Sequence, residues 1–209
     1  MPSTVVHLAL AGLIAAGLLG RAFSARSLAV VLAAVVLVDF DVFVGLVVTS
    51  AHRAAFHTLL VPLGVAAALA YDTRIRDSSL LRARFGTDAP RIGWVSLVAV
   101  VLSAIGLDFF TSGVNLFYPL HDQFYRLNGK AILSNKQGFV QTFVELDTGM
   151  VEAKPLGSTQ EMHVDSGVDP TRGAEPKHVR RVFPFVETGW QFLLVLTSLV
   201  VVGGRLRET

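Results

Sequence analysis

Two carboxylates, two imidazoles and a guanidinium stand within one short, otherwise apolar span of this 209-residue chain: Asp39-Phe-Asp41, then His52-Arg-Ala-Ala-Phe-His57. His7 and Asp108 add one more imidazole and one more carboxylate from apolar sequence on either side. Two or three histidines with aspartates make a nitrogen and oxygen donor set that suits zinc first, and manganese or iron where oxygen ligands dominate. The chain has no cysteine, so thiolate ligands and disulfides are excluded. A metal with an open position lowers the pKa of bound water toward ~7 and so makes a hydroxide nucleophile. Arg53, a planar and permanently charged fork, suits a phosphate.

Spacing limits how these groups can meet. Arg53 and His57 are four apart and share a face of a helix, whereas His52 lies about 140° from His57 if both are helical. Asp39 and Asp41 are two apart, so an unbroken helix points them in nearly opposite directions. Either the helix is irregular there, or one aspartate ligates while the other orients a histidine.

The elements that must position these residues are membrane helices. The chain is 52% hydrophobic and 16% charged, with a mean hydropathy of +0.56, which points to a polytopic membrane protein. Its formal net charge is only +2, so nothing favours nucleic acid as a partner. Apolar segments run over Thr4–Gly20, Leu28–Thr49, Ala54–Tyr71, Ile92–Gly113 and Thr188–Gly204. Each reaches the length needed to cross a hydrocarbon core roughly 30 Å thick, the first and third only just. The first has no basic leader and reads as a retained helix, not a cleaved signal.

Arginines orient the chain. Arg21 and Arg26 lie in the first link, Arg74, Arg76, Arg82, Arg84 and Arg91 in the link after the third segment, and Arg205 and Arg207 in the tail. Placing all three links in the cytoplasm puts Val114–Glu187 on the other side, where long loops translocate largely regardless of charge. The expected fold is all-α integral membrane: about five transmembrane helices with a small extracytoplasmic cap containing a short β-hairpin. Residues 1–113 form a four-helix membrane core with the polar site, 114–187 the cap, and 188–209 the fifth helix and a short cytoplasmic tail. Within the cap, Lys130–Leu133 and Phe139–Leu146 read as strands around Ser134–Gly138, and Thr148–Lys177 as an irregular loop.

On this topology His7, Asp39, Asp41, His52, Arg53, His57 and Asp108 all fall toward the outer ends of four helices. Taken singly, each has a structural reading: His7 as a cap, the aspartates paired with Arg53 in a salt-bridge knot, Asp108 bonded to a neighbouring helix. His121-Asp122 reads as a turn, and His163 and His178 as solvated loop residues. The shared depth favours a functional site, because ionisable groups at membrane depth cost roughly 2.5–3.5 kcal/mol each on insertion scales.

The pattern resembles the YdjM-like family of membrane-bound metal-dependent hydrolases. That family shows an early His, an Asp-x-Asp, a His-Arg-x-x-x-His followed by Ser or Thr, and a later Leu-Asp with a Gly-containing turn and an aromatic-Pro. Here these are His7, Asp39-Phe-Asp41, His52-Arg-Ala-Ala-Phe-His57-Thr58, Leu107-Asp108 with Thr111-Ser-Gly113, and Tyr118-Pro119, covering roughly residues 5–120. Ala104 stands where the family often has His, Val38 where many have Pro, and Ala54 where many have Gly; His121 is a candidate replacement ligand. The resemblance implies hydrolysis of a membrane-associated substrate. On the residues, a lipid phosphoester is favoured, with His7, Asp41, His52, His57 and Asp108 as metal ligands, Asp39 as orienting residue or general base, and Arg53 as phosphate clamp. Membrane lipid is the expected partner, and self-assembly into a homo-oligomer is compatible with the sequence. An ion or proton transporter would instead need polar residues continuing to the inner side, which the second to fourth segments lack. A non-enzymatic assembly protein would use the same polar groups for packing.

Overall fold

The computed structural model describes residues 2–48, 51–136, 138–145, 150–151, 153–162, 168 and 182–209. His163 and His178, and most of the loop expected over Thr148–Lys177, lie outside the described residues. The chain begins with α1 (Thr4–Leu18), a 3-10 turn over Gly20–Ala22 and α2 (Ala25–Asp39). Ser24 starts α2 through a reciprocal cap: its hydroxyl accepts from Ser27 N–H, and its own N–H donates to the Ser27 hydroxyl. Phe40 tightens the chain at the end of α2, and α3 (Asp41–Val44) follows at once.

α4 (Leu60–Ala70) runs into a π-helical turn over Tyr71–Ile75, then α5 (Leu80–Phe85) and α6 (Ala89–Ala99). A second π-helical stretch, Val100–Gly106, joins α6 to α7 (Leu107–Thr111). Short strands follow among the described residues: β1 (Phe124–Leu127), β2 (Ala131–Ser134), β3 (Gly138–Gln141), β4 (Val144–Glu145), β5 (Met150–Val151) and β6 (Ala153–Gly157). α8 (Gly189–Arg207) ends the chain. Among the described residues, three helical stretches are long and apolar enough to cross a membrane: Ala25–Val44, Ala89–Thr111 and Gly189–Arg207. α1 is apolar but shorter, at 15 residues.

The third apolar segment departs from the sequence-based expectation. A helix was expected from Ala54, yet α4 begins at Leu60, and residues 52–59 form consecutive turns. Arg53 has a φ of 62°, a left-handed conformation that no α-helix continues through and that costs a non-glycine residue roughly 1 kcal/mol or more. Arg53 and His57 therefore do not share a helix face.

The β part is also richer than one hairpin. β2 and β3 pair antiparallel, with Leu133 opposite Phe139 and Ile132 opposite Val140. The second strand stops at Gln141 because Thr142 closes the hairpin base instead, donating N–H to Lys130 O and accepting Lys130 N–H on its hydroxyl. β1 pairs antiparallel with β6, which falls in the stretch expected to be irregular. β4 pairs with β5.

The helical core is built from small and branched residues: Ala11, Ala15, Val31, Val35 and Ala99 pack tightly with Leu19 and Phe23. α1 contacts α2, α6 and α8. At one end of the bundle, the last carbonyl of α1 and one in the 3-10 turn after it receive cations. Arg91 Nε donates to Leu18 O at 2.9 Å, and Arg205 Nη2 donates to Gly20 O at 3.3 Å. This placement suits the negative end of a helix. Arg205 also lies 5.7 Å from the Phe23 ring centroid.

α1 and α8 meet closely at Gly12, where a Cβ would come within 3.1 Å of Ser198 Oγ and 3.2 Å of Val202 Cγ2. At Gly17 a Cβ would meet nothing within 4 Å. Gly12→Leu is therefore expected to cost about 1–3 kcal/mol by overpacking and to lower the thermal unfolding midpoint in detergent micelles. Gly17→Leu is expected to leave that midpoint unchanged.

Candidate functional site

The site forms at the end of the bundle opposite Arg91 and Arg205, where α1 begins and α2 and α7 end. Its centre is the Asp41 carboxylate, which is fully buried. Oδ1 accepts from His52 Nδ1–H at 2.8 Å. Oδ2 accepts from His57 Nδ1–H at 2.8 Å, from Arg53 N–H at 3.0 Å and from Phe56 N–H at 3.4 Å. A buried carboxylate with this many donors holds its charge, and hydrogen bonds to a charged group are worth about 1.5–3 kcal/mol each. The same bonds explain why residues 52–57 are not helical: N–H groups that a helix would direct to carbonyls four residues earlier are turned onto Asp41 instead.

The other side of the loop is tied to the segment after α7. Asn115 N–H donates to Arg53 O at 3.0 Å, and Leu116 O accepts from Leu59 N–H at 2.8 Å and from the Thr58 hydroxyl at 3.0 Å. Ala54 is buried against Phe124 of β1. Asp122 secures this region, accepting from Asn115 Nδ2 at 2.7 Å and from Thr159 N–H and Oγ1–H at 3.0 and 2.6 Å.

His7 is buried and connects α1 to the helix carrying Asp108. Its Nδ1–H donates to Ser103 O, and its Nε2 lies 3.6 Å from Asp108 Oδ1. In a regular α-helix, positions five apart point about 140° from one another. The π-helical turn over Val100–Gly106 widens the spiral and brings position 103 nearer the side of position 108. One imidazole can then touch both.

Arg53 Nε lies 2.9 Å from Asp108 Oδ2. Nε and Nη1 are nevertheless buried without a hydrogen-bond partner, so the contact is a coulombic one with its N–H not aimed at the oxygen. Asp39 is more open, with a side chain 19% exposed, and accepts a hydrogen bond from the Thr4 hydroxyl. The break at Phe40 frees Asp39 and Asp41 from the nearly opposite directions of an unbroken helix, and both carboxylates reach His57.

The last polar atom to place is His57 Nε2. With Nδ1–H committed to Asp41, Nε2 carries the lone pair whenever the ring is neutral. It is buried without a partner, 3.7 Å from Asp39 Oδ1 and 3.6 Å from Asp108 Oδ2. Asp108 Oδ1, which faces His7, is likewise buried and unpartnered. These separations exceed a hydrogen bond. Donor atoms about 2.1 Å from a shared tetrahedral cation stand about 3.4 Å apart, and each of these pairs taken singly is close to that spacing. Among the described residues, no group of three or more His, Asp or Glu side chains is placed so that it could hold a metal ion.

Sequence reasoning placed His7, Asp39, Asp41, His52, Arg53, His57 and Asp108 together, and the structure brings all seven into one connected set. His121 is not among them: it is exposed and its Nε2 pairs with the Tyr125 hydroxyl at 2.9 Å. Ala104 is fully buried in the apolar core. Two participants escaped the sequence reading. Thr4 lies three residues before His7 on the same face of α1, a spacing that could have flagged it. Ser103 acts through its backbone carbonyl, which leaves no signature in residue type.

Removing one member of a buried ion pair typically costs about 3–5 kcal/mol, because the partners stay buried and unmatched. Asp41→Ala is accordingly expected to cost that much in micelle unfolding measurements. Asp39→Ala, at a partly exposed position, is expected to cost clearly less.

Comparison with known proteins agrees with the motifs. The family described as YdjM inner membrane protein matches residues 1–164. Neither curated proteins nor solved structures give a match. The match spans most of the chain and includes every residue of the buried polar set, and the chain belongs to the YdjM inner membrane protein family.

Proposed function

We propose that this membrane protein is a metal-dependent hydrolase acting on a phosphoester of a lipid or another membrane-associated substrate. The observation that carries the reading is His57 Nε2, a buried ring nitrogen without a hydrogen-bond partner that lies 3.7 Å from Asp39 Oδ1 and 3.6 Å from Asp108 Oδ2. Asp39, Asp41 and Asp108 against Arg53 give three negative charges and one positive with the histidines neutral, a surplus of two that a divalent cation balances. His7 Nε2, His57 Nε2, Asp39 and Asp108 would hold the ion, zinc by the balance of nitrogen and oxygen donors. Asp41 would orient His52 and His57 instead of ligating. This exchanges the roles the sequence suggested for the two aspartates. When bound, the ion supplies Lewis acidity and an acidified water.

The chain's own groups would do the rest. Arg53 Nη1, buried and without a partner, would bind phosphate oxygens. His52, held by Asp41 through Nδ1–H and 17% exposed, would take up a proton at Nε2. In this reading five helices traverse the membrane, with the site and the cap on the extracytoplasmic side, so a headgroup enters laterally while water arrives from outside. The gathering of Arg91 and Arg205 at the opposite end supports that orientation.

A non-catalytic polar knot is the second reading, favoured by the Arg53–Asp108 and Asp41–histidine contacts, which pair charges without any ion. Metal analysis separates the two. Purified protein is expected to carry about one zinc per chain, lost in His57→Ala and His7→Ala and retained in His121→Ala. Phosphate release from lipid phosphates should follow the metal. Metal-free protein, with His57→Ala losing only stability, would leave the knot standing and the hydrolase reading without support.

Orientation has its own test, because the native chain lacks cysteine. Gln160→Cys, at an exposed turn after β6, is expected to react with a membrane-impermeant maleimide on intact cells. Reaction only after lysis would reverse the topology.

A further inference from the structure

The β2–β3 hairpin presents an apolar face that nothing among the described residues covers. Leu133 and Phe139 are directly opposed across the strands, so their side chains share one face. They are 85% and 69% exposed. Ile132, on the other face, is 42% exposed. Asn135 and Lys136, in the turn, and Lys130, at the base, are exposed. A two-stranded hairpin has little stability alone in water, and an uncovered pair of large apolar side chains needs an apolar neighbour.

The hairpin's position says which neighbour. Its base is closed by the reciprocal Lys130–Thr142 hydrogen bonds. The next residue, Phe143, lies so tightly over Gly129 that no Cβ would fit there. The Phe143 ring also meets Phe110 edge-on, with centroids 6.2 Å apart. Phe110 belongs to the last turn of the Ala89–Thr111 membrane helix and is itself 51% exposed. The hairpin is thus attached beside the end of a membrane span, at the level where hydrocarbon gives way to headgroups.

We propose that the β2–β3 hairpin inserts its Leu133–Phe139 face into the headgroup–acyl boundary of the bilayer that holds the helices. The apolar pair enters the acyl border, and Lys130 and Lys136 reach lipid phosphates, the division of labour used by interfacial segments with basic flanks. The occupant of this face is the lipid surface. The inference rests on membrane insertion of the helices and not on any hydrolase activity.

The cysteine-free sequence permits a direct test. Leu133→Cys and Phe139→Cys are made singly in the full chain, labelled with an environment-sensitive fluorophore, and reconstituted in vesicles of phosphatidylcholine and phosphatidylglycerol. Labelled Gln160→Cys provides the aqueous reference. Both hairpin positions are expected to show blue-shifted emission, loss of iodide quenching relative to position 160, and stronger quenching by shallow than by deep lipid spin labels. Iodide quenching equal to that at position 160 at either site overturns the proposal. Protection from iodide without quenching by lipid labels also overturns it, and assigns the face to a protein neighbour such as a second copy.

Discussion

The structure around the site depends on one buried carboxylate. Asp41 cannot remain charged in an apolar bundle unless donors surround it, and the donors come from a single loop: two imidazole N–H groups and two backbone N–H groups between His52 and His57. Satisfying that charge decides the path of the loop, ends any helix there, and drives Arg53 into a left-handed backbone conformation. It also selects the tautomer of both histidines. Once Nδ1–H of each is committed to Asp41, Nε2 becomes the basic atom of each, and at His57 it faces Asp39 and Asp108.

Arg53 ties this charge network to the segment that follows α7. Its side chain meets Asp108 while its backbone N–H and C=O are taken up by Asp41 and Asn115 on opposite sides. Asn115 in turn binds Asp122, which also holds Thr159. The segment between α7 and α8 is therefore wired to the helices through the backbone of Arg53. Displacing the segment after α7 would disturb Arg53 and, through it, Asp108.

The helices supply the frame at two ends in different chemical terms. Toward the site, carboxylates and imidazoles are buried among one another. Toward the other end, Arg91 and Arg205 neutralise the last carbonyl of α1 and one in the 3-10 turn after it. Between them the packing is apolar and close, with Ala11, Gly12 and Ala15 letting α1 sit near its neighbours. Small residues matter there because lipid competes for apolar contact, and close backbone approach is what favours helix against helix.

Much of this is written in residue type alone. Long apolar runs specify membrane helices because a backbone without water must bond to itself. Ionisable residues confined to one end of those runs mark a site because their burial needs partners, and the β2–β3 hairpin follows from strand-forming residues around a turn. Tertiary structure decided what periodicity could not. Whether His52, Arg53 and His57 lie on a helix depended on Asp41 competing for their N–H groups, an interaction across eleven to sixteen residues that local propensity does not register. The reach of Asp39 and Asp41 to one histidine depended on a helix break at Phe40, and the contact of His7 with both position 103 and Asp108 on a π-helical turn. The β1–β6 pairing joins strands with β2 to β5 between them in the chain, so neither strand shows its partner in sequence. Residue types determined which chemistry must be buried and gathered; only the folded backbone determined which atom of each group faces which.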